Sequence, residues 1–309
     1  MLHKMFWTGL NTRVSFMKAV ALALWLTLVP VLAQGTPALA ADRIAVVAAE
    51  NFYGDIARQI GGEHVAVVSI MNNPEKDPHL FETTPAVVRQ LAGAQIVILN
   101  GANYDPWMDK LLAAVPRPDR TVISAAQLTG RKPGDNPHLW YDPVTMPAVA
   151  TALAGALAKA DSTHAPDYAA RLKSTLATLD RISQRVAQLK AKHAGASVTA
   201  TEPVFGPMTQ ALGLTMRNER FQLAMMNDTE PSARDVAAFE RDLKERKVKV
   251  LIYNSQVSEK LTERLRDIAA KSKVPVIGVT ETMPPNVSFQ DWVLGELDAL
   301  DKALTGPNS

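Results

Sequence analysis

Two histidines in this 309-residue chain occupy nearly the same setting: Asp77-Pro78-His79-Leu80-Phe81 and Asn136-Pro137-His138-Leu139-Trp140 share a polar-Pro-His-Leu-aromatic core. Each lies in a loop just before a predicted helix, and such loops at the carboxyl ends of strands are where open α/β sheets hold ligands. A solitary histidine is more often a packed or exposed side chain than a ligand. The repeated setting reverses that balance for His79 and His138, and a pair of imidazoles makes half of a site for a divalent transition metal. His64, His164 and His193 have no such setting and read as structural or surface residues. The chain contains no cysteine, so no thiolate is available for a metal or for catalysis, and there is no disulfide framework. Further ligands must offer oxygen or nitrogen. Glu202 follows a predicted strand at 198–201, and Glu281 follows one at 274–279. Either alone is a weak candidate, because carboxylates are common at the starts of helices.

The elements that must position these groups come in a βαβ rhythm. Short β-branched runs at 44–49, 65–71, 96–99 and 122–123 read as strands, with helices at 52–60 and 85–92 and a polar, proline-bracketed loop at 72–84. The same rhythm restarts at Ser197, with strands at 198–201, 248–253 and 274–279 and helices at 205–212, 259–270 and 289–303. Between the two series, residues 166–193 contain no glycine and no proline after Pro166. Tyr168, Leu172, Leu176, Leu179, Ile182, Val186 and Leu189 form one apolar stripe at helical spacing. About 27 residues at 1.5 Å each make a rod of roughly 40 Å, long enough to run along two lobes. The expected fold class is therefore α/β: two lobes, each a mainly parallel sheet flanked by helices, joined by one long backbone helix. A continuous helix bends less than a pair of crossing strands, so lobe motion is expected to be small.

The first forty residues carry Lys4, Arg13 and Lys18, an apolar run at 19–33 and small residues at Ala38 and Ala40. That is the pattern of a cleavable signal peptide. The apolar run falls short of the roughly 20 residues of a spanning helix and contains Pro30. The expected organisation is a signal peptide at 1–40, an N-terminal lobe at 41–163, a linking helix at 164–195 and a C-terminal lobe at 196–309. Without a cysteine to lipidate, the mature chain is expected to be free in the periplasm and not a lipoprotein. Removing the three leader cations takes the formal net charge from +2 to −1. Nothing in that balance gives the basic stripe that nucleic acid requires.

From residue 44 to 304 the sequence resembles the solute-binding proteins of manganese and zinc ABC importers. The carrying segments are DPHLFETTP (77–85), NGANYDPWM (100–108), NPHLWYDP (136–143), TEPVFGPMTQALGL (201–214) and VPVIGVTETMPP (274–285). The resemblance implies four metal ligands, two from each lobe: His79, His138, Glu202 and Glu281. It also implies delivery of the cargo to an ABC importer permease in the inner membrane, by a protein expected to be a monomer. Glu281 departs from the family's usual aspartate. The acidic residue usual after the strand at 248–253 is replaced by Asn254-Ser255-Gln256, and the His-rich loop of zinc-specific members is absent between Leu128 and Asn136.

Two imidazoles and two carboxylates suit Mn2+ or Zn2+ as transported ligand. The oxygen content leans toward manganese, although the Irving–Williams order favours zinc in affinity. Each histidine should donate its second ring N–H to an outer acceptor, with Glu82 and Asp142 near in sequence. The competing function is a periplasmic zinc-dependent hydrolase. Catalytic zinc sites generally have three protein ligands, an open position and a general base, whereas four ligands are implied here and no motif supplies the base. No enzyme activity is expected. A surface adhesin would need an anchor that cleavage of the leader would leave it without.

Overall fold

Parallel pairing builds both halves of the protein. The computed structural model describes residues 43–73, 81, 83–257 and 259–306; the expected leader, His79 and Glu82 lie outside the described residues. The first half runs β1 (Ile44–Glu50), α1 (Asn51–Gly61), β2 (Val65–Met71), α2 (Pro85–Gly93), β3 (Ile96–Leu99), α3 (Pro106–Ala114), β4 (Thr121–Ser124), α4 (Ala125–Thr129) and α5 (Thr145–Ala160). A 29-residue helix, α6 (Ala165–His193), follows. The second half runs β5 (Ser197–Ala200), α7 (Gly206–Ala211), β6 (Thr215–Arg217), α8 (Glu219–Met226), α9 (Ala233–Lys244), β7 (Leu251–Asn254), α10 (Lys260–Lys271), β8 (Val276–Val279) and α11 (Phe289–Thr305).

The sheet orders are β2-β1-β3-β4 and β6-β5-β7-β8, and every strand pair is parallel. The two sheets therefore share one topology, and in each the order reverses between the first and third strands. The crevice outside the carboxyl ends of those strands is where such sheets bind ligands. β3 shows why the chain forms such sheets: all four residues of Ile-Val-Ile-Leu are buried, as parallel strands covered on both faces require. The ladder of β8 begins at Val276 and not at 274, because Pro275 has no N–H to donate. It still accepts, through its carbonyl, from Leu251 N at 2.9 Å.

One apolar cluster passes through both halves. It takes in the inner faces of the sheets together with side chains of α1, α5, α6 and α11. Its centre is aromatic: Phe52 and Trp140 rings lie 4.7 Å apart, Tyr141 and Phe205 4.7 Å, and Tyr141 and Trp292 5.5 Å. Each sheet also covers its outer face with a smaller cluster, around Leu91, Val97 and Met108 in the first half and Phe221, Phe239 and Leu265 in the second. Residues 41–309 form one compact unit.

The expected rod is α6, about 43 Å long at 1.5 Å per residue. It buries Tyr168, Leu179, Ile182, Val186 and Leu189, with Leu172 and Leu176 half-buried against the same core. It packs on α1 and α5 at one end and on α11 at the other, where Arg185 pairs with Asp298 and Asp301. The sequence pattern assigned nothing to 215–245, where the structure has β6, α8 and α9. A three-residue strand offers no periodicity to detect. Among the described residues no helix is long and apolar enough to cross a membrane.

Candidate metal centre

His138 enters the cleft on a short turn. Asn136 Oδ1 accepts from the His138 backbone N–H at 3.0 Å and lies 2.8 Å from its ring Nδ1. The orientation of the Asn136 amide is fixed because its Nδ2 donates to Pro203 O at 2.7 Å. An amide oxygen can only accept, so Nδ1 carries a ring proton, and in the neutral imidazole Nε2 presents its lone pair. Gly206 makes the approach possible: a Cβ there would sit 2.5 Å from Asn136 Nδ2. Asn100 steadies the preceding residue by donating to Pro137 O at 2.8 Å, while accepting from Tyr53 at 2.7 Å. Trp140 stands edge-on to the imidazole, with ring centroids 5.4 Å apart.

His138 is 1% exposed, and its Nε2 makes no hydrogen bond in the described structure. Facing it at 3.6 Å is Oε2 of Glu281, also 1% exposed. A bare imidazole lone pair opposite a carboxylate oxygen is an electron-rich pair, and a cation between them would join both as ligands. Glu202, 8% exposed, follows β5, and Glu281 follows β8. Asn254, the last residue of β7, links them, its Nδ2 standing 3.2 Å from Glu202 Oε2 and 2.7 Å from Glu281 Oε1. The sheet order explains the meeting: β5 and β7 are neighbours at the point of reversal, and β8 lies beside β7.

Glu281 is held with unusual thoroughness. Tyr104 of the first half donates to its Oε2 at 3.0 Å. Gln256 Oε1 accepts from the backbone N–H of Glu281, in a short hydrogen bond, and from that of Thr282 at 2.9 Å. Asn51, at the start of α1, makes a two-bond bridge to Met283, donating to its carbonyl at 2.7 Å and accepting from its N–H at 3.0 Å. Tyr104 owes its position to a left-handed run, Gly101, Ala102 and Asn103, with φ of 76°, 51° and 66°. Gly101 begins it where a Cβ would meet Ser124 Oγ at 2.8 Å. Asp105 closes the turn by accepting from the N–H groups of Asn100 and Gly101, each at 2.8 Å.

Behind Tyr104 lie two buried carboxyls, Glu50 and Asp105. Burial, then the charge of Asp105, pushes Glu50 well above the ordinary carboxylate range. Burial raises Asp105 to about 6 against the backbone N–H groups that hold it down. Burial and then the charge of Glu281 keep the Tyr104 hydroxyl protonated, as a donor.

Of the four residues singled out in the sequence, His138 and Glu281 meet directly, Glu202 stands one amide away, and His79 falls outside the described residues. Among the described residues no three His, Asp or Glu side chains converge as a group able to hold a metal ion. The outer partner of His138 is Asn136, not Asp142, which instead pairs with Arg131 at 2.9 Å. Tyr104 and Asn136 registered in the sequence only as members of motifs, without a role of their own, and Asn254 and Gln256 only as the replacement of an acid. NGANYDPWM and NPHLWYDP contained the first two in plain view. The other three histidines lie elsewhere: His64 stacks on His164 at 3.9 Å, and His193 contacts Asp301 at 2.7 Å. A cleft cavity of about 430 Å³ opens beside the Asn136–Pro203 contact, lined by Arg131, Asp142, Gln222 and neighbouring residues. None of His138, Glu202 and Glu281 is among its lining residues.

Known proteins resemble the chain over most of its length. The manganese-binding lipoprotein MntA of Bacillus subtilis is 26% identical over 230 residues, 71% of this chain and 73% of its own. The zinc-binding protein TroA of Treponema pallidum is 25% identical over 258 residues, 80% of this chain and 82% of its own. The solved structure of the latter protein shares the fold, with a TM-score of 0.71 at 20% identity over 85% of this chain and 99% of its own. A crystal structure of ZnuA does so with a TM-score of 0.67 at 24% identity, covering 85% and 98%. The two lobes of parallel sheet on a long helix thus recur in both. The family described as zinc-uptake complex component A, periplasmic, matches residues 46–303, and the chain belongs to it.

Proposed function

We propose that this protein captures a divalent transition metal, Mn2+ or Zn2+, between its lobes and delivers it to the permease of an ABC importer in the inner membrane. The family's members are metal-binding transport proteins and not enzymes. The observation that carries the proposal is the buried pair His138 and Glu281: a lone pair and a carboxylate oxygen 3.6 Å apart, each aimed by a dedicated partner behind it. The proposed ligands are His79, His138, Glu202 and Glu281. Two neutral imidazoles and two carboxylates balance a divalent charge, and carboxylates binding through one or both oxygens allow four to six coordination. Relatives are named for manganese, zinc and iron, so the donor set is read here as general for such ions, with manganese slightly preferred for its oxygen content. The mature protein is proposed to be free in the periplasm, the sequence having no cysteine to lipidate, and to act as a monomer.

The deciding measurement is elemental analysis of protein recovered from its native compartment, with His79→Ala, His138→Ala and Glu281→Ala beside it. One equivalent of metal in the parent and loss in all three variants is the expected result. Retention in Glu281→Ala removes that residue from the ligand set. Metal-dependent hydrolysis of esters, peptides or phosphates by the purified protein, lost in Glu202→Ala with metal retained, would overturn the transport function.

A further inference from the structure

One side chain beside the cargo site engages both lobes, with a different atom for each. Asn136 Oδ1 accepts from the His138 backbone N–H at 3.0 Å and lies 2.8 Å from the ring Nδ1, within the first lobe. Its Nδ2 donates at 2.7 Å to the carbonyl of Pro203, the residue directly after Glu202 in the second lobe. That carbonyl also accepts from the N–H of Gly206, and Pro203, Val204 and Phe205 of the turn between them are buried. The acceptor is therefore a fixed point of the second lobe. An amide is planar, so holding its nitrogen also holds its oxygen. The other amide bridge between the lobes differs: Asn51 joins Met283 by two bonds of 2.7 and 3.0 Å, and both run to backbone atoms, not to an imidazole.

We propose that Asn136 is a positioning residue that makes the aim of His138 conditional on contact between the lobes, so that separating them loosens the imidazole's grip on the cargo. This rests on the cargo function proposed above and adds how release is coupled to opening. With Nδ2 held by Pro203, Oδ1 stays on the ring. Once Pro203 draws back, the side chain can turn about its own bonds, and the ring keeps its acceptor for only part of the time. The exchange is open to solvent on one side only. Asn136, Pro203 and Gly206 all line the cavity of about 430 Å³, where water can take the place of the carbonyl, whereas His138 is 1% exposed. A histidine ligand that loses its outer acceptor holds metal less tightly. The closed state thus binds the cation better than the open one, which is the difference that a shift between them requires.

Gly206 allows the coupling to be tested from the far lobe. Among the described residues, a Cβ there would meet only the Asn136 side chain, at 2.5 Å from Nδ2, so the flexible amide would give way and not the backbone. The full chain is loaded with Zn2+, and two quantities are followed: dissociation into a chromophoric chelator, and solvent exchange of the His138 Nδ1–H by NMR. In the parent that proton should exchange slowly. Asn136→Ala should release zinc roughly 10–100-fold faster, the usual cost of an outer partner, with rapid exchange of the proton. Gly206→Ala should release it roughly three- to tenfold faster, the equivalent of about one hydrogen bond, and should speed exchange of the same proton from the opposite lobe. Asn51→Ala also breaks a bridge between the lobes, yet it should release zinc only slightly faster and leave that exchange as in the parent. If Gly206→Ala keeps the parent's release rate and exchange, or if Asn51→Ala reproduces both changes of Asn136→Ala, Asn136 has no such role. If His138→Ala still holds zinc, the cargo function itself has failed, independently of Asn136.

Discussion

His138 and Glu281 reach the cleft from lobes of the same topology, yet they are secured by opposite strategies. The imidazole needs one acceptor behind it. Asn136, two residues away, provides that acceptor and draws its own orientation from the facing lobe at Pro203. The carboxylate has two oxygens to orient, and a loop without regular structure to ride on. It takes Tyr104 from the first lobe, Asn254 from its own, and backbone supports from Gln256 and, two residues on, Asn51. An imidazole ligand can thus be specified locally, whereas a carboxylate ligand depends on the whole assembly of both lobes.

The sharpest way to break this contrast is to remove the ligands themselves. His138→Ala should cost more than about a hundredfold in metal affinity, beyond the usual 10–100-fold for losing an outer partner; calorimetric titration with Zn2+ and Mn2+ measures it. Next come the supports. Tyr104→Phe and Asn254→Ala should each weaken binding on the order of tenfold and, acting on one carboxylate, should combine non-additively. Full additivity in the double variant would mean that they do not share Glu281.

Some of this was legible in the sequence and some was not, for a definite reason. The long helix announced itself through seven apolar positions on one stripe, and His138 through a five-residue motif shared with His79. Asn254 read as a loss, because an acid is usual there. Its amide in fact donates toward both Glu202 and Glu281, where a third carboxylate would have added repulsion. Tyr104 and Glu281 are 177 positions apart, and Asn51 and Met283 are 232 apart. No local pattern encodes such pairs. They exist because two parallel sheets reverse their strand order at facing edges. The strand at 248–253 was also anticipated too early: Val248 and Val250 are buried, but the regular strand covers Leu251–Asn254.

Smaller effects sharpen the same contrast through stability. Glu50, Asp105 and Glu296 keep protons in the folded state that the unfolded chain gives up. Their contribution is complete below the ordinary carboxylate range and is lost as pH rises, through about 6 for Asp105 and about 8 for Glu296. Asp301 works in the other direction. Burial favours its neutral form, but hydrogen bonds from His193, Lys192 and Arg185 together outweigh that, so its contribution disappears in acid. The melting temperature of the metal-free protein should therefore peak in mild acid and decline toward pH of about 8, with a shallower decline in Glu296→Gln. A flat profile across that window would contradict neutral buried acids. The smallest change is expected from Asn51→Ala, which removes two buried hydrogen bonds and should cost about 1–3 kcal/mol in urea unfolding, with metal release slightly faster.

The aromatic packing of Phe52, Trp140, Tyr141, Phe205 and Trp292 has a consequence for inheritance as well as for chemistry. Because those rings belong to both halves at once, neither half owns a finished interior, and a gene fragment encoding one alone should yield an insoluble product. Swapping lobes between cousins would fail for the same reason unless the rings travelled together. Evolution can retune the cargo by exchanging single donors at the cleft, while the two repeats remain bound to a common fate.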